Sequence, residues 1–455
     1  MVRDRGVLAL VSSVAIALAG CGTGGGGGGG TASGARLVGG TANGTGGTGG
    51  AGGTGGGGAP ATPRTFPDTT ATIGILVDQL PGSMTPAQLQ FAASHFVGSQ
   101  KLLVPVTQSL RALNPGFIVL HYHLAMWQSA ASVPFVLDGR TWSNDYPLVT
   151  QHEPWFWHDA AGSRIPSPND GKLLMNVADA GFQAYWSSSL VAQTQAGGYD
   201  GVFLDSASPA ILQGEIGRLE PRLAGTAAHD TSFAELGGKT WIGAWQTWIG
   251  GLDAALAAQG LVLIPNVGQL TTFWDTTTYA VSGGQFSEGF GDPAFSEREW
   301  KSAADQLIAF ANAGKVVILQ NYLGGNPNDL ARRRYYLGTY LLVKASRTYL
   351  DYFASAPLEW YPEWALDLGA PLTSARAGVA DLASSGLYRR DFQRGVVLVN
   401  PTAADVTVTL GATFRRVEPQ GGGPVDASGA TPGTLGTTSV TQIVVASKGA
   451  EILLR

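Results

Sequence analysis

From Thr72 onward the chain repeats one pattern: a short apolar run that ends in a polar residue, then a stretch of helical character, then another run. Such alternation is the sequence form of βα units around a parallel sheet. It predicts strands at "TIGILVD" (72–78), "KLLVP" (101–105), "FIVLHYH" (117–123) and "GVFLDS" (201–206). Four more follow at "LVLIPN" (261–266), "YAVSGGQFSE" (279–288), "KVVILQN" (315–321) and "RTYLDYF" (347–353). Helices are predicted between them over 85–96, 181–196, 240–259, 297–314 and 329–345. Eight strands in roughly 290 residues suit an α/β fold of the (β/α)8 TIM-barrel type, which takes ~250 residues before insertions. A doubly wound open sheet competes with it, but "VDQLPGSMTP" after the first strand offers no Gly-rich phosphate loop.

What precedes and follows this region differs in kind. Arg3 and Arg5 lead into "GVLALVSSVAIALAG", the length of a signal-peptide core and too short for a mature span. The run ends in "LAGC", which has the form of a bacterial lipobox with Cys21 as the lipidated residue. Export to the cell envelope and attachment to a membrane through Cys21 are therefore expected. As the only cysteine, Cys21 leaves none for an internal disulfide. Residues 22–65, mostly Gly, Thr and Ala at first, lack the apolar surface to order themselves and read as a tether of roughly 35 Å r.m.s. span. The barrel is expected over 66–380. Beyond it, alternating stretches such as "GVVLVNPTAADVTVTL" and "TQIVVASKGAEILLR" predict a small antiparallel β domain over 381–455, drawn as a β-sandwich.

The polar residues that end barrel strands mark the mouth, where TIM-barrel enzymes place their sites. Here these are Asp78, His121 with His123, Asp205, Asn266, Glu288 or Gln285, and Asn321, with Asp351 as a further member. Asp205 shares its strand face with Phe203 and Gly201, which aims it into the mouth. Glu288 lies in "GGQFSEGFGD", whose glycines let the backbone pass close to a ligand. Two carboxylates across a mouth are the equipment of a glycosidase. Aromatic side chains fit a sugar substrate by stacking on its rings, and Trp127, Trp155, Trp157, Trp274 and Tyr322 all fall in loops or strand ends on that side. His121, His123, Asp78, Asn266, Asn321 and Tyr322 are the expected hydroxyl-binding residues, with Trp155 and Trp157 as platforms.

Other chemistries find less support. An H-x-H on a strand can begin a metal site. After His158, however, the chain holds only His229 as a further imidazole, and no cofactor is expected. No G-x-S-x-G elbow occurs. A net charge of -5 provides no basic footprint for nucleic acid. Nothing calls for a second copy, so a monomer is expected.

On "GYDGVFLDS" (198–206), "SEGFGD" (287–292) and "YRRDFQRGVVLVNPT" (388–402), the chain from Thr72 to Arg455 resembles the bacterial glycoside-hydrolase-like barrels of the hypothetical glycosyl hydrolase family 15 type. The first motif is also similar to glycoside hydrolase family 114, the endo-α-1,4-polygalactosaminidases, and more remotely to the α-galactosidase barrels. The resemblance implies that Asp205 is the nucleophile and Glu288 the proton donor. The loop 124–175 and the Gly-rich stretch 283–291 do not align with family 114, so its galactosaminide substrate is not carried over. A carbohydrate-binding protein without catalysis is the second expectation, since it needs no close carboxylate pair.

The lipobox makes a direct prediction: cells expressing the protein incorporate labelled fatty acid into it, and Cys21→Ser abolishes the label and moves the protein out of the membrane fraction.

Overall fold

The apolar runs pair side by side because a strand buried on both faces can satisfy its backbone only through its neighbours. A computed structural model describes residues 62–455 except 129–135, 138–139, 142–144, 168–170, 208–230, 269–279 and 376. The signal segment, Cys21, the Gly-rich stretch, His229 and Trp274 lie outside the described residues.

Eight parallel strands form the central sheet: β1 (Gly74–Gln79), β2 (Gly98–Lys101), β3 (Ile118–Leu124), β4 (Gly201–Asp205), β5 (Val262–Pro265), β6 (Gly284–Glu288), β7 (Val316–Tyr322) and β8 (Thr348–Phe353). Their order is β5-β4-β3-β2-β1-β8-β7-β6. The remaining seam, β5 to β6, is closed by a parallel bridge between Asn266 and Phe286 and by Val267 N–H donating to the Phe286 carbonyl at 3.0 Å. Closure through consecutive strands makes this a barrel and excludes the doubly wound sheet.

Helices α1 (Pro86–His95), α2 (Val104–Leu113), α3 (Ala180–Ala196), α4 (Trp241–Ala257), α5 (Glu297–Asn312) and α6 (Leu330–Val343) surround it. Five of the six start where the sequence supplies a side-chain cap, most completely at α1 and α5, while α2 starts on Leu103 without one. There Thr85 with Gln88 and Ser296 with Glu299 form capping boxes that satisfy otherwise orphaned N–H groups.

One strand expectation is corrected. The run 101–105 is not β2; it is the end of that strand and the start of α2, with Pro105 in the helix's first turn. β2 lies three residues earlier because Gly98 allows close approach to β3, where a Cβ would stand 2.2 Å from the Ile118 carbonyl oxygen.

Inside the barrel, Leu76, Leu120, Phe203, Ile264, Phe286 and Ile318 pack with Tyr122 and Tyr349. Gly201 begins β4 without a side chain, since a Cβ there would meet the Val262 carbonyl oxygen at 2.5 Å. Phe66 joins the same cluster from below and closes the floor. Beside it, Asp200 is fully buried and accepts from Arg64 N–H (2.9 Å), Arg111 Nη2 (2.6 Å) and Val119 N–H (2.8 Å). The tether expected through residue 65 is therefore corrected at its end, for Arg64 is already bound to the floor.

The C-terminal strands are β9 (Ala383–Ser384), β10 (Leu387–Phe392), β11 (Gly395–Asn400), β12 (Val406–Gln420), β13 (Thr434–Val445) and β14 (Gly449–Leu454). They form one antiparallel sheet in the order β9-β10-β11-β14-β12-β13, where a sandwich of two sheets was expected. One face, with Val397, Val399, Ala450 and Ile452, joins the barrel's outer core. The other is covered by the sheet itself. β12 and β13 shift register between Thr409 and Phe414, and Phe414, Ile443 and Val445 pack with Leu387, Val396, Leu398 and Leu453. Barrel and sheet make one compact unit from Pro60 to Arg455.

Asp200→Ala leaves two guanidinium groups facing an empty floor. It is expected to cost about 3 kcal/mol, the scale for breaking a buried ion pair. A lowered unfolding midpoint in thermal and denaturant melts checks it; an unchanged midpoint would show the clasp to be dispensable.

Candidate active site

Side chains alternate along a strand, so the residues that share a face with Phe203, Ile264 and Phe286 point into the barrel. At the C-terminal ends these are Asp205, Asn266 and Glu288, together with Asp78, Tyr122, Gln320, Tyr322 and Asp351. Lys101 reaches the same space from the end of β2.

The arrangement centres on one amide. Asn266 Nδ2 donates to Asp205 Oδ1 at 2.9 Å and to Glu288 Oε2 at 2.7 Å. The two bonds hold those oxygens within about 5.6 Å of each other. With one amide hydrogen to each, about 120° apart, the separation is roughly 5 Å. Asp205 also accepts from Ser206 N–H at Oδ1 (2.8 Å) and from the Tyr122 hydroxyl at Oδ2 (2.6 Å). Ser206 takes a left-handed conformation, φ 52°, uncommon for a residue with a side chain and characteristic of functional sites. Glu288 Oε1 accepts from the Tyr322 hydroxyl at 2.6 Å, which in turn accepts from Gln320 Nε2 at 3.0 Å.

Opposite them, Lys101 Nζ lies 2.8 Å from Asp78 Oδ1 and 5.0 Å from the centre of the Tyr122 ring. Asp351, beneath, accepts the Asp78 backbone N–H at 2.8 Å.

These surroundings separate the titrating groups. Burial raises the Glu288 carboxyl above its ordinary range, and the neighbouring Asp205 raises it further; bonds from Tyr322 and Asn266 and the Lys101 charge oppose this in part. Burial also lifts Asp351 well above its ordinary value, which favours its protonated form. Lys101 is driven the other way. Burial works against its charge, but Asp78, Asp205 and Glu288 outweigh it and push its pKa to about 12.

Several expected site residues lie elsewhere. His121 and His123 point outward, since the inward residue between them is Tyr122. His121 Nδ1 pairs with Thr194 on α3 at 2.8 Å and its ring stacks on Tyr199 at 5.1 Å. His123 packs edge-on to Trp186 at 4.9 Å. Burial lowers the pKa of both, that of His121 to about 3, so both are neutral core residues. Asn321 also faces outward, donating to the Phe290 carbonyl at 2.7 Å. Trp155 is stacked between His152 and Tyr185, and Trp157 packs on Trp241 and Phe233. Both indoles are interior to their loop and offer no platform. Among the described residues, no group of three or more His, Cys, Asp or Glu is placed to hold a metal ion.

Lys101, Tyr122 and Gln320 were not anticipated. Lys101 was hidden by the misplaced second strand. Tyr122 was passed over for the histidines on either side, although strand parity with Leu120 would have found it.

No curated protein matches the chain in sequence. Solved structures that resemble it include a noncanonic maltogenic alpha-amylase from Thermotoga neapolitana, with 12% identity, a TM-score of 0.39 and coverage of 77% of this chain and 80% of that one. An alpha-amylase from Malbranchea cinnamomea has 9% identity and a TM-score of 0.39, over 85% and 96% of the two chains. A chitinase from Chromobacterium violaceum has 14% identity and a TM-score of 0.28, over 55% and 68%. The barrel itself is established by strand order and closure. In sequence, residues 111–396 match the family described as Hypothetical glycosyl hydrolase family 15. That match covers more than half of the chain and takes in Tyr122, Asp205, Asn266, Glu288, Tyr322 and Asp351; the chain belongs to hypothetical glycosyl hydrolase family 15.

Proposed function

We propose that this protein is an exported, lipid-anchored glycoside hydrolase that cleaves O-glycosidic bonds of an extracellular poly- or oligosaccharide. In this reading Asp205 is the nucleophile and Glu288 the acid and base. The observation that carries it is the single Asn266 amide shared by the two carboxyl groups. Its two bonds bring one oxygen of each group within about 5.6 Å, which supports the ~5–5.5 Å spacing of a retaining pair over the ~6.5–9.5 Å of an inverting one.

The chemistry follows from the hydrogen bonds. Asp205 Oδ1 takes two donors and Oδ2 one, so Oδ2 keeps a lone pair for the anomeric carbon. Glu288, kept protonated by burial and by the Asp205 charge, delivers its proton to the departing glycosidic oxygen as Asp205 attacks. The resulting ester on Asp205 is neutral. Burial still raises Glu288, but the part of the shift that the Asp205 charge supplied is gone, and the carboxylate left by the first proton transfer becomes the base that takes a proton from the incoming water. Water attacks the anomeric carbon, the ester breaks, and the product keeps its configuration. Lipid attachment is supported by Arg3, Arg5, the apolar run and "LAGC".

Two outcomes test this. Against a panel of polysaccharides, the first product seen by proton NMR has the substrate's anomeric configuration, and Asp205→Asn and Glu288→Gln each lower the rate by ~10²-fold or more. Full hydrolysis by either variant removes that residue from the mechanism. The second outcome concerns stability. The folded protein holds a proton on Glu288 that the unfolded chain releases near the ordinary value of 4.5. The stability this gives is complete below that value and is lost as pH rises through the raised one. Glu288→Gln should therefore gain in melting temperature relative to wild type between pH 4 and 8; a constant difference would contradict the shift.

A further inference from the structure

Asp205 and Glu288 account for the bond that breaks, and they leave the β1–β2 side of the mouth unexplained. There Lys101 and Asp78 form an ion pair at 2.8 Å, with side chains 19% and 14% exposed. Such a pair is not needed to close the fold, because a barrel end can be filled by apolar side chains as the floor is by Phe66.

Its geometry suits a ligand. Asp351 pins Asp78 from below through the backbone N–H. Asp78 Oδ1 is buried against Lys101, which leaves Oδ2 as the oxygen able to face the mouth. The ammonium has three hydrogens and is held over the rings of Tyr122 (5.0 Å) and Phe203 (5.6 Å). An acceptor and a donor side by side match two neighbouring ring hydroxyls, one of which donates while the other accepts. Tyr122 ties this couple to the reacting centre, since its hydroxyl bonds Asp205 while its ring lies under Lys101.

The charges add a selection. Lys101 is the cation whose charge reaches Glu288, and Asp78 already neutralises it. An acidic group on the sugar would therefore meet the Asp205 carboxylate, with no uncommitted positive partner among the described residues around Lys101.

We propose that the Asp78–Lys101 couple binds two adjacent hydroxyls of the sugar residue whose anomeric carbon lies at Asp205, and that this subsite accepts sugars without acidic groups and rejects uronic acids. The proposal rests on the glycoside-hydrolase reading of the same mouth.

Calorimetric titration of the purified wild-type protein with galactose, glucose and mannose, and with galacturonic and glucuronic acid, tests it without turnover. At least one neutral sugar binds, and its uronic acid binds ~10-fold more weakly or not at all, a difference of about 1.4 kcal/mol. Lys101→Met and Asp78→Asn each weaken the neutral sugar by ~10-fold or more, the scale of a lost charged hydrogen bond. The loss from Lys101→Met disappears with the deoxy sugar that lacks the contacted hydroxyl, which a merely structural lysine would not produce. Lys101→Gln, which retains a donor, serves if the methionine variant melts early. Equal or tighter binding of a uronic acid, unchanged affinity in both variants, or no binding by any sugar overturns the proposal. A protein with the expected preference that hydrolyses no glycan overturns the hydrolase reading and leaves the subsite standing; hydrolysis that favours uronides does the reverse.

Discussion

Asn266 sits where the barrel has to close, and the mouth is arranged around that closure. Its backbone N–H donates to the Leu204 carbonyl at 2.8 Å, its own carbonyl accepts from Ala207 N–H at 3.1 Å, and it bridges to Phe286 across the last seam. Its side chain repeats this connection between β4 and β6, through Asp205 on one side and Glu288 on the other. The distance between the carboxyl groups is thus a property of the barrel wall. Two acids brought so close share a problem of charge, and burial together with the Asp205 charge raises Glu288, which favours a proton there.

The strands were legible in the sequence because apolar runs of the right length alternate with helices, and Asp205, Glu288, Asn266, Asp78 and Tyr322 were legible as polar residues at their ends. Which way a side chain points was harder to read. A barrel strand is buried on both faces, so it shows no alternation of apolar and polar residues, and a one-residue error in parity exchanges inside for outside. That error put His121 and His123 in the mouth and left Tyr122 out. The same absence of contrast moved β2 onto "KLLVP", when the strand that carries Lys101 is the less apolar "GSQK". Trp155 and Trp157 looked exposed because their neighbours are polar, yet "EPWFWHD" folds inward on α3 and α4.

The C-terminal sheet is bound to the barrel by buried cations that no apolar pattern announces. Arg390 donates to the carbonyls of Leu341, Leu342 and Lys344 and so closes the C-terminal end of α6. Arg333, also on α6, pairs with the buried Glu363 and reaches the Gly421 carbonyl on the hairpin between β12 and β13. Such pairs contribute little net stability over apolar packing, but once buried they penalise any docking that leaves one unpaired. They fix how the sheet lies on α6.

The floor described at Arg64 and Phe66 has a mechanical consequence. A pull on the chain upstream of residue 64 would be borne first by the Arg64–Asp200 clasp, then by β4 through Asp200 and β3 through Val119, while the Tyr349 hydroxyl bonded to the Pro67 carbonyl shares the load with β8. All of these lie at the end of the barrel away from Asn266. Load entering from the N-terminal side would therefore act at the end of the eight strands opposite the mouth, along their length rather than across the seam that sets the carboxylate spacing.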